Sequence, residues 1–317
     1  MSIVFLDRGT FSASVRFGAP GVAGRSWQDY AHTSADRVFE RARTAEVVVT
    51  NKVPLPRAVI ERLPQLRLIV CAATGVDNVD IEAARRQGVA VCNVRGYAIH
   101  SVPEHVFAMV LALRRNLFRY RQAVQTGDWT RSDSFCLLTY PNEDLAGSTL
   151  GIVGAGTLGE AVARLGQAFG MNVLLAERRG AETTRPGRVP FERVLADSDV
   201  ISLHLPLTPL TCGLIGSSEL ARMKPGAILI NTARGGVVDE VALLAALKSG
   251  RLGGAGLDVL SQEPPAAGQP LAFADLPNLL VTPHIAWASR QAQQRLADGV
   301  VENIAAFFRG EPQNRVV

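Results

Sequence analysis

Thr149-Leu-Gly-Ile-Val-Gly154-Ala-Gly156-Thr-Leu-Gly159 is the stretch that decides the fold of this chain of 317 residues. It starts with a short apolar run, which predicts a strand, and glycines then stand at positions 154, 156 and 159. Beyond them, apolar residues recur at helical spacing and predict a helix over 160–169. A strand, a glycine turn and a helix in this order are typical of a β/α unit in a parallel sheet.

The glycine turn has the G-x-G-x-x-G spacing that holds a dinucleotide when a strand precedes it and a helix follows. An acidic residue, Glu177, stands 18 residues beyond Gly159 and completes the pattern. The three glycines permit, in order, the tight turn, the approach of a pyrophosphate and close packing of helix on strand. The pyrophosphate is expected to meet the helix N-terminus, at the amides of Thr157 and Leu158. A turn without a ligand is the alternative.

The choice between NAD and NADP depends on the residues that end the next predicted strand. Glu177 is expected to accept hydrogen bonds from the adenosine ribose hydroxyls and to repel a 2′-phosphate, which favours NAD. Arg178 and Arg179 follow directly. They are either solvated charges or, in the case of Arg178, a partner for the 2′-phosphate of NADP. We therefore expect NAD, with NADP as the alternative.

Composition excludes several classes of protein. The net charge of +4 comes from scattered basic residues without a long run, so a nucleic-acid partner is not expected. The longest apolar stretch is too short to span a bilayer, and the N-terminus has no basic region typical of a signal peptide. The four cysteines lack the C-x-x-C spacing of a metal site, and we expect none. Reduced thiols suit a cytoplasmic protein.

The rest of the chain alternates strand-like and helix-like segments and predicts two domains of the α/β class. Four strand-like runs lie within the first hundred residues, and a second β/α series begins at Ser148. The last helix is predicted over about Arg290–Phe308, with Leu296 and Val300 on its apolar face. It has no sheet of its own to cover, so we expect it to belong to the N-terminal domain. The predicted domains are therefore residues 1–100 with 288–317, and residues 101–287.

Two segments near the domain boundary carry separate predictions. Ser101 and Glu104 have the spacing of a capping box, which predicts that Ser101 caps a buried connector helix ending near Asn116. Residues 117–147 lack periodicity and include Trp129 and Phe135. This segment is either an excursion that packs on another subunit or a long surface loop.

Three charged residues stand just beyond apolar runs in the second series. Arg234 follows residues 227–233, Glu263 follows 255–260, and His284 follows 279–283. Open α/β sheets bind ligands beyond the carboxyl ends of their strands, so these side chains are expected to share a site. The guanidinium is suited to a carboxylate or a polarised oxo group, the imidazole to proton transfer, and the carboxylate to orienting the imidazole.

Each of these three residues also has a structural interpretation. Singly, an arginine after a strand is more often a surface ion-pair partner, an acid in a loop is ordinary, and a histidine can be a core residue. Their coincidence beside a dinucleotide turn favours a site. The other histidines compete less well. His204 and His105 are interpreted as structural or cofactor-side residues, and His32 and His100 carry little signal.

Five segments together resemble the D-isomer-specific 2-hydroxyacid dehydrogenase family over most of the chain. They are Gly154–Gly159 with Glu177, Leu203–Thr208, Asn231–Asp239, Asp258–Pro264 and Thr282–Trp287. The resemblance implies an α/β fold of two Rossmann-like domains. One is an NAD-binding, doubly wound parallel sheet, and the other is a flavodoxin-like substrate domain. It also implies a homodimer joined through the nucleotide domain.

The resemblance assigns roles to residues of this sequence. Arg234 is similar to the substrate-binding arginine, and Glu263 with His284 to the acid–base pair. The loop whose amides hold the substrate carboxylate corresponds to Thr74, Gly75 and Val76. Cofactor contacts are implied for Gly154, Gly156, Thr157, Leu158, Gly159, Glu177, Arg178, Leu205, Pro206, Thr211, Thr232, Ala233, Arg234, Asp258 and His284, with Asp258 meeting the carboxamide.

Within the family, the chain looks most similar to glycerate dehydrogenases, which are also hydroxypyruvate reductases. The expected reaction is reduction of hydroxypyruvate or glyoxylate to D-glycerate or glycolate. Related formate dehydrogenases carry glutamine where Glu263 stands, so this carboxylate favours a 2-hydroxy acid that needs a proton relay. Phosphite dehydrogenases keep the arginine, glutamate and histidine and remain an alternative. A further alternative is a non-catalytic NAD(H)-sensing protein that resembles the family's co-repressors.

Overall fold

The structure is a computed structural model that describes residues 2–18 and 26–317. The chain divides into two compact units. One combines the N-terminal residues up to Ala98 with Ala288–Val317, and the other is Ile99–Trp287. Each unit is built on a wholly parallel sheet, so the predicted α/β class with two parallel-sheet domains is confirmed.

The first unit contains a five-stranded sheet in the order β2-β1-β3-β4-β5. Residues of β3 and β4 are buried throughout, as expected for β-branched strands covered on both faces. The sequence did not predict β2, whose polar residues are mostly exposed at the sheet edge. The strands are β1 (Ser2–Phe5), β2 (Ser26–Asp29), β3 (Ala45–Thr50), β4 (Leu68–Cys71) and β5 (Ala90–Cys92).

Short helices connect these strands, and the last helix of the chain completes the unit. Ser289 caps that helix by accepting a hydrogen bond from the amide of Ala292. Leu296, Val300 and Ile304 on its apolar face are fully buried. The helices are α1 (Val38–Ala42), α2 (Arg57–Ile60), α3 (Ile81–Arg86) and α10 (Arg290–Phe308), with 3₁₀ turns at Arg8–Thr10 and Ala35–Arg37.

The second unit contains a six-stranded sheet in the order β11-β10-β9-β8-β6-β7. The chain passes from β6 outward to β7 and then returns to the other side of β6 to form β8. The point where the order reverses therefore lies between β6 and β8, where open α/β sheets bind their ligands. The strands are β6 (Thr149–Val153), β7 (Asn172–Leu175), β8 (Val200–Leu203), β9 (Ile228–Asn231), β10 (Gly254–Leu257) and β11 (Leu279–Val281).

Six helices belong to this second unit. They are α4 (Ser101–Arg114), α5 (Leu117–Gln125), α6 (Thr157–Ala168), α7 (Phe191–Asp197), α8 (Ser217–Arg222) and α9 (Glu240–Lys248). A 3₁₀ turn spans Gly235–Val237. Across the residues described, no helix combines the length and the apolar character needed to cross a membrane.

The start of α4 differs from its prediction. His100 occupies the N-cap position without a side-chain hydrogen bond, so the predicted cap at Ser101 was wrong. Ser101 is instead the first helical residue, and its hydroxyl donates to the carbonyl of Ala286 at 2.6 Å. The helix is buried as expected and ends at Arg114, because Asn116 adopts a left-handed conformation with φ of 48°.

Candidate active site

The glycine turn after β6 depends on glycine at two positions. Gly154 has φ of +100°, and a Cβ there would lie 2.3 Å from the carbonyl oxygen of His204, which follows β8. A Cβ at Gly159 would lie 2.1 Å from the carbonyl oxygen of Gly154. Real side chains do not tolerate such distances, so glycine allows the turn to fit between β6 and β8 and the helix to start close to it.

The outer side of the same turn is open. A Cβ at Gly156 would meet nothing within 4 Å, and no side chain caps α6. The first amides of α6, those of Thr157 and Leu158, therefore lie at an uncapped helix N-terminus, which favours an anion. The Arg188 guanidinium donates hydrogen bonds to the carbonyls of Ala155 and Ala176, at 3.4 and 3.2 Å. These bonds hold its positive charge beside the turn. The turn is suited to a pyrophosphate.

The Glu177 carboxylate accepts hydrogen bonds from neighbouring residues of the same chain, which the sequence did not predict. Its carboxylate accepts from Arg185 Nε at 2.7 Å and Nη2 at 2.5 Å, and from the backbone amides of Arg178 and Arg185 at 2.8 and 3.1 Å. The Arg185 side chain and the two amides hold the pKa of Glu177 well below its usual range. The side chain of Arg178 is exposed. The contact of Glu177 with a ribose stays a prediction.

Arg234 stands on a turn that Asn231 shapes. The amide side chain of Asn231, at the end of β9, donates to the Arg234 carbonyl at 2.9 Å and accepts from the Ala233 amide at 3.0 Å. The guanidinium of Arg234 contacts the carbonyl of Ala233 at 2.8 Å. A Cβ at the next residue, Gly235, would lie 1.9 Å from the carbonyl carbon of Leu260. The turn that carries Arg234 therefore packs closely against the backbone of Leu260, three residues before Glu263.

Glu263 and His284, which the sequence predicts to share a site, are joined by a hydrogen bond. Glu263 Oε2 lies 2.6 Å from His284 Nδ1, and Glu263 Oε1 accepts from the Leu260 amide at 2.9 Å. Because an ionised carboxylate only accepts, Nδ1 carries the proton in this bond. The other ring nitrogen, Nε2, has no hydrogen-bond partner among residues 2–18 and 26–317. This nitrogen can therefore exchange a proton with a ligand.

Asp258 supports the backbone on which His284 stands. Its carboxylate accepts from the Thr282 hydroxyl at 2.5 Å and from the amides of Ile285 and Ala286 at 2.9 and 2.8 Å. The side chain is only 1% exposed. The Thr282 hydroxyl gives its one proton to Asp258, so it can only accept from His105 Nε2, which lies 3.0 Å from the Thr282 oxygen. The structure thus shows a positioning role for Asp258, whereas its contact with a carboxamide stays a prediction.

The remaining predicted cofactor residues lie at the same edge of the sheet. The Thr232 hydroxyl, just beyond β9, is buried without a hydrogen-bond partner in the described part of the chain, and such a group needs an explanation. A bound ligand would supply one. Leu205 packs beside Gly154, where a Cβ would lie 2.9 Å from its side chain. The Thr211 hydroxyl donates to the carbonyl of Pro206 at 2.7 Å and closes the loop after β8.

The predicted carboxylate-binding loop lies in the first unit, directly after β4. The Thr74 hydroxyl donates to the carbonyl of Val94 at 2.9 Å, and the side chain of Asn93 donates to the Thr74 carbonyl at 2.7 Å. These bonds fix the loop. The amides of Gly75 and Val76 donate to no acceptor within residues 2–18 and 26–317, so they can receive an anion.

Two of the other histidines, His204 and His105, have partners within the second unit. His204 is bonded to the Ser202 hydroxyl at 2.9 Å, and burial lowers the pKa of His204 to about 4, so it is neutral near pH 7. His105 contacts the Thr282 hydroxyl, which donates to Asp258.

Comparison with known proteins shows which proteins this chain is similar to. A model of the D-isomer specific 2-hydroxyacid dehydrogenase NAD binding domain matches residues 107–286. A glycerate dehydrogenase from Methylorubrum extorquens is 50% identical over 99% of this chain and 98% of its own length. A hydroxypyruvate reductase from Blautia hydrogenotrophica is 37% identical over 90% of this chain and 88% of its own length.

Solved structures show the same fold. The D-lactate dehydrogenase of Aquifex aeolicus, complexed with NAD and lactic acid, superposes with a TM-score of 0.83. It is 30% identical and covers 98% of this chain, and this chain covers 96% of it.

Proposed function

Since this chain belongs to the D-isomer specific 2-hydroxyacid dehydrogenase family, we propose that it reduces hydroxypyruvate or glyoxylate with a nicotinamide cofactor. The products are D-glycerate and glycolate, and the reaction is reversible. The observation that carries this proposal is the hydrogen bond between Glu263 and His284, which leaves one imidazole nitrogen for the substrate. The relatives named for glycerate dehydrogenase and hydroxypyruvate reductase activities support the substrate class.

We propose the following roles for the residues of the site. When bound, the reduced nicotinamide supplies a hydride to the carbon of the oxo group. His284 Nε2 gives a proton to the oxo oxygen, and the ring later regains a proton from solvent. Glu263 fixes the tautomer and stabilises the imidazolium. Arg234 binds the substrate and stabilises negative charge on the oxo oxygen. The amides of Gly75 and Val76 bind the substrate carboxylate.

The cofactor is held by residues of the second unit. The uncapped start of α6 receives the pyrophosphate, and the edge that carries Thr232 and Ala233 receives the nicotinamide end. We accordingly propose Ile99–Trp287 as the nucleotide domain and the unit formed by both chain ends as the substrate domain. Glu177 favours NAD over NADP only if its carboxylate is open to the ribose. Because Arg185 bonds that carboxylate, both NAD and NADP are retained in the proposal.

The test is oxidation of NADH and NADPH against hydroxypyruvate, glyoxylate, pyruvate and phenylpyruvate, with phosphite oxidation as a separate assay. We expect the highest kcat/KM for hydroxypyruvate or glyoxylate and the D-isomer when glycerate is the product. Tight cofactor binding without turnover of any 2-oxo acid would instead support the sensing alternative. Phosphite oxidation as the only activity would support the phosphite dehydrogenase alternative.

We also propose a homodimer that covers residues 117–147. This segment begins with α5 and then runs without regular structure, and several of its large apolar side chains are exposed. Phe135 is 91% exposed and Leu138 is 80% exposed. Exposed apolar groups of this size on one segment are typical of a protein interface, and closed two-fold dimers are the commonest oligomers. Light scattering of Phe135→Glu should show a larger monomer fraction than wild type.

We further propose that the protein works in the cytoplasm. Its four cysteines are free, and burial raises the pKa of Cys71 to about 12 and that of Cys92 to about 11. Free thiols suit a reducing compartment. Fractionation of the native cells tests this proposal.

A further inference from the structure

Glu177 has no acceptor position left for a ribose. An ionised carboxylate offers about four acceptor positions, and four donors from residues 178–185 occupy them. The side chain is only 5% exposed, and the two contacts from the Arg185 guanidinium form a planar fork. The hydroxyls of an adenosine ribose therefore cannot form hydrogen bonds with Glu177 unless Arg185 first breaks its own hydrogen bonds with that carboxylate.

The charge around this carboxylate is positive. Arg178 is exposed and forms no ion pair within the described part of the chain. Arg188 donates to the carbonyl of Ala155 in the glycine turn and forms no ion pair among residues 2–18 and 26–317. Arg185 bonds the Glu177 carboxylate directly, and Arg188 donates to the carbonyl of the preceding residue, Ala176. With Arg178, these are three basic residues against two acidic ones in the same part of the chain, Glu177 and Glu182. Arg179 adds little, because Glu219 binds it at 2.9 Å.

We propose that Arg185 determines cofactor selectivity: by occupying Glu177 it removes the acceptor for ribose hydroxyls and leaves a positive site for the 2′-phosphate of NADP(H). The inference rests on the proposed nicotinamide-dependent function and deepens it. NADPH is expected to bind at least as tightly as NADH. This outcome differs from the preference for NAD that the sequence predicts, because the sequence shows the acid but not its partner eight residues later.

Removing Arg185 acts on the two cofactors in opposite directions. The freed carboxylate can accept hydrogen bonds from ribose hydroxyls, which favours NADH. The same unmasked negative charge, with one guanidinium fewer, repels a 2′-phosphate and disfavours NADPH. The ratio of the two dissociation constants is therefore the measurement that isolates the role of Arg185.

The experiment measures binding without turnover. Calorimetry gives the affinities of 2′,5′-ADP and 5′-AMP, which differ only by the 2′-phosphate and lack the nicotinamide, and fluorescence gives those of NADPH and NADH. The variants are Arg185→Ala, Arg185→Lys and the double variant Arg185→Ala with Glu177→Gln. Arg193→Ala is the matched control, because it removes the same charge from an exposed pair with Asp197 in the same unit.

We expect Arg185→Ala to shift the ratio toward NADH and 5′-AMP by about tenfold or more, the size of a lost charge-assisted bond. The double variant should cancel most of that shift, and Arg185→Lys should shift it less because the charge remains. A shift no larger than that of Arg193→Ala, or a wild type that binds 5′-AMP about tenfold more tightly than 2′,5′-ADP, would overturn the inference. If wild type binds neither pair, the proposed function itself fails.

Discussion

At the scale of single residues, hydrogen bonds of both the backbone and the imidazole ring fix the position of His284. It adopts φ of 54°, a conformation that non-glycine residues seldom take, and its amide donates to the carbonyl of Asp258 at 2.9 Å. The Asp258 carboxylate binds the next two amides. These bonds offset the cost of the unusual backbone, which places the imidazole against Glu263.

The first prediction concerns proton transfer. His284→Gln should lower kcat by about 100- to 10,000-fold, the range that a positioned general acid contributes, because glutamine cannot deliver a proton. The dissociation constant for NADH should change little, since the pyrophosphate and ribose contacts are elsewhere. Stopped-flow kinetics and cofactor fluorescence measure the two quantities. Turnover near the wild-type rate would remove His284 from its proposed role.

The second prediction concerns acid stability. Burial lowers the pKa of His204 to about 4, below its ordinary value of 6.5. Between these pH values the unfolded chain binds the proton and the folded chain does not, so stability is lost as pH falls through this window. Two and a half pKa units correspond to about 3 kcal/mol at most.

The variant His204→Gln keeps a side chain that can bond to Ser202 but does not titrate. Urea unfolding at several pH values should show that it loses less free energy of unfolding than wild type between about pH 6.5 and 4. His32→Gln is the control, and its slope should match that of wild type. Equal slopes for the His204 variant and wild type would contradict the assignment.

At the scale of elements, parallel strands were the easiest part to predict. The runs 149–153, 200–203 and 68–71 coincide with β6, β8 and β4 because buried strands read as continuous apolar sequence. Polar, exposed β2 gave no such signal. The site residues could be predicted from their places after strands. The role of Arg185 could not be predicted, because its bond to Glu177 depends on the conformation of residues 178–185, which show no periodic pattern.

The third prediction concerns the contact between two turns. Gly235→Ala should push the Arg234 turn away from Leu260, since the added carbon would lie 1.9 Å from that backbone. The neighbouring Gly236→Ala is the matched control, because its Cβ would meet only the flexible side chain of Leu207 at 3.1 Å.

We expect Gly235→Ala to destabilise the protein by about 1–3 kcal/mol and to lower kcat/KM, because Arg234 and Glu263 both depend on this contact. Gly236→Ala should have much smaller effects on both. Thermal unfolding and steady-state kinetics make the comparison. Equal behaviour of the two variants would show that the close approach of the turns is not needed.

At the scale of the whole molecule, the chain ends belong to one unit. Residues 288–317 return to the unit formed by the first 98 residues, although 189 residues lie between them. Helix α10 packs against β4, and Asn303, which is fully buried, donates to the Asn93 carbonyl at 2.7 Å. The core of the first unit therefore lacks one of its helices until the C-terminal part of the chain has been synthesised. The stability of both ends should be coupled.

The fourth prediction tests this coupling with Val300→Asp. Val300 is fully buried on the apolar face of α10, and a carboxylate there costs about 4 kcal/mol or more because nothing pairs with it. Hydrogen exchange should show that peptides from β1, β3 and β4 lose protection together with those from α10, whereas peptides from 99–287 lose much less. Arg290→Asp, at the exposed start of the same helix, is the control. If α10 alone lost protection, the helix would be an appendage, and the unit would be stable without its C-terminal part.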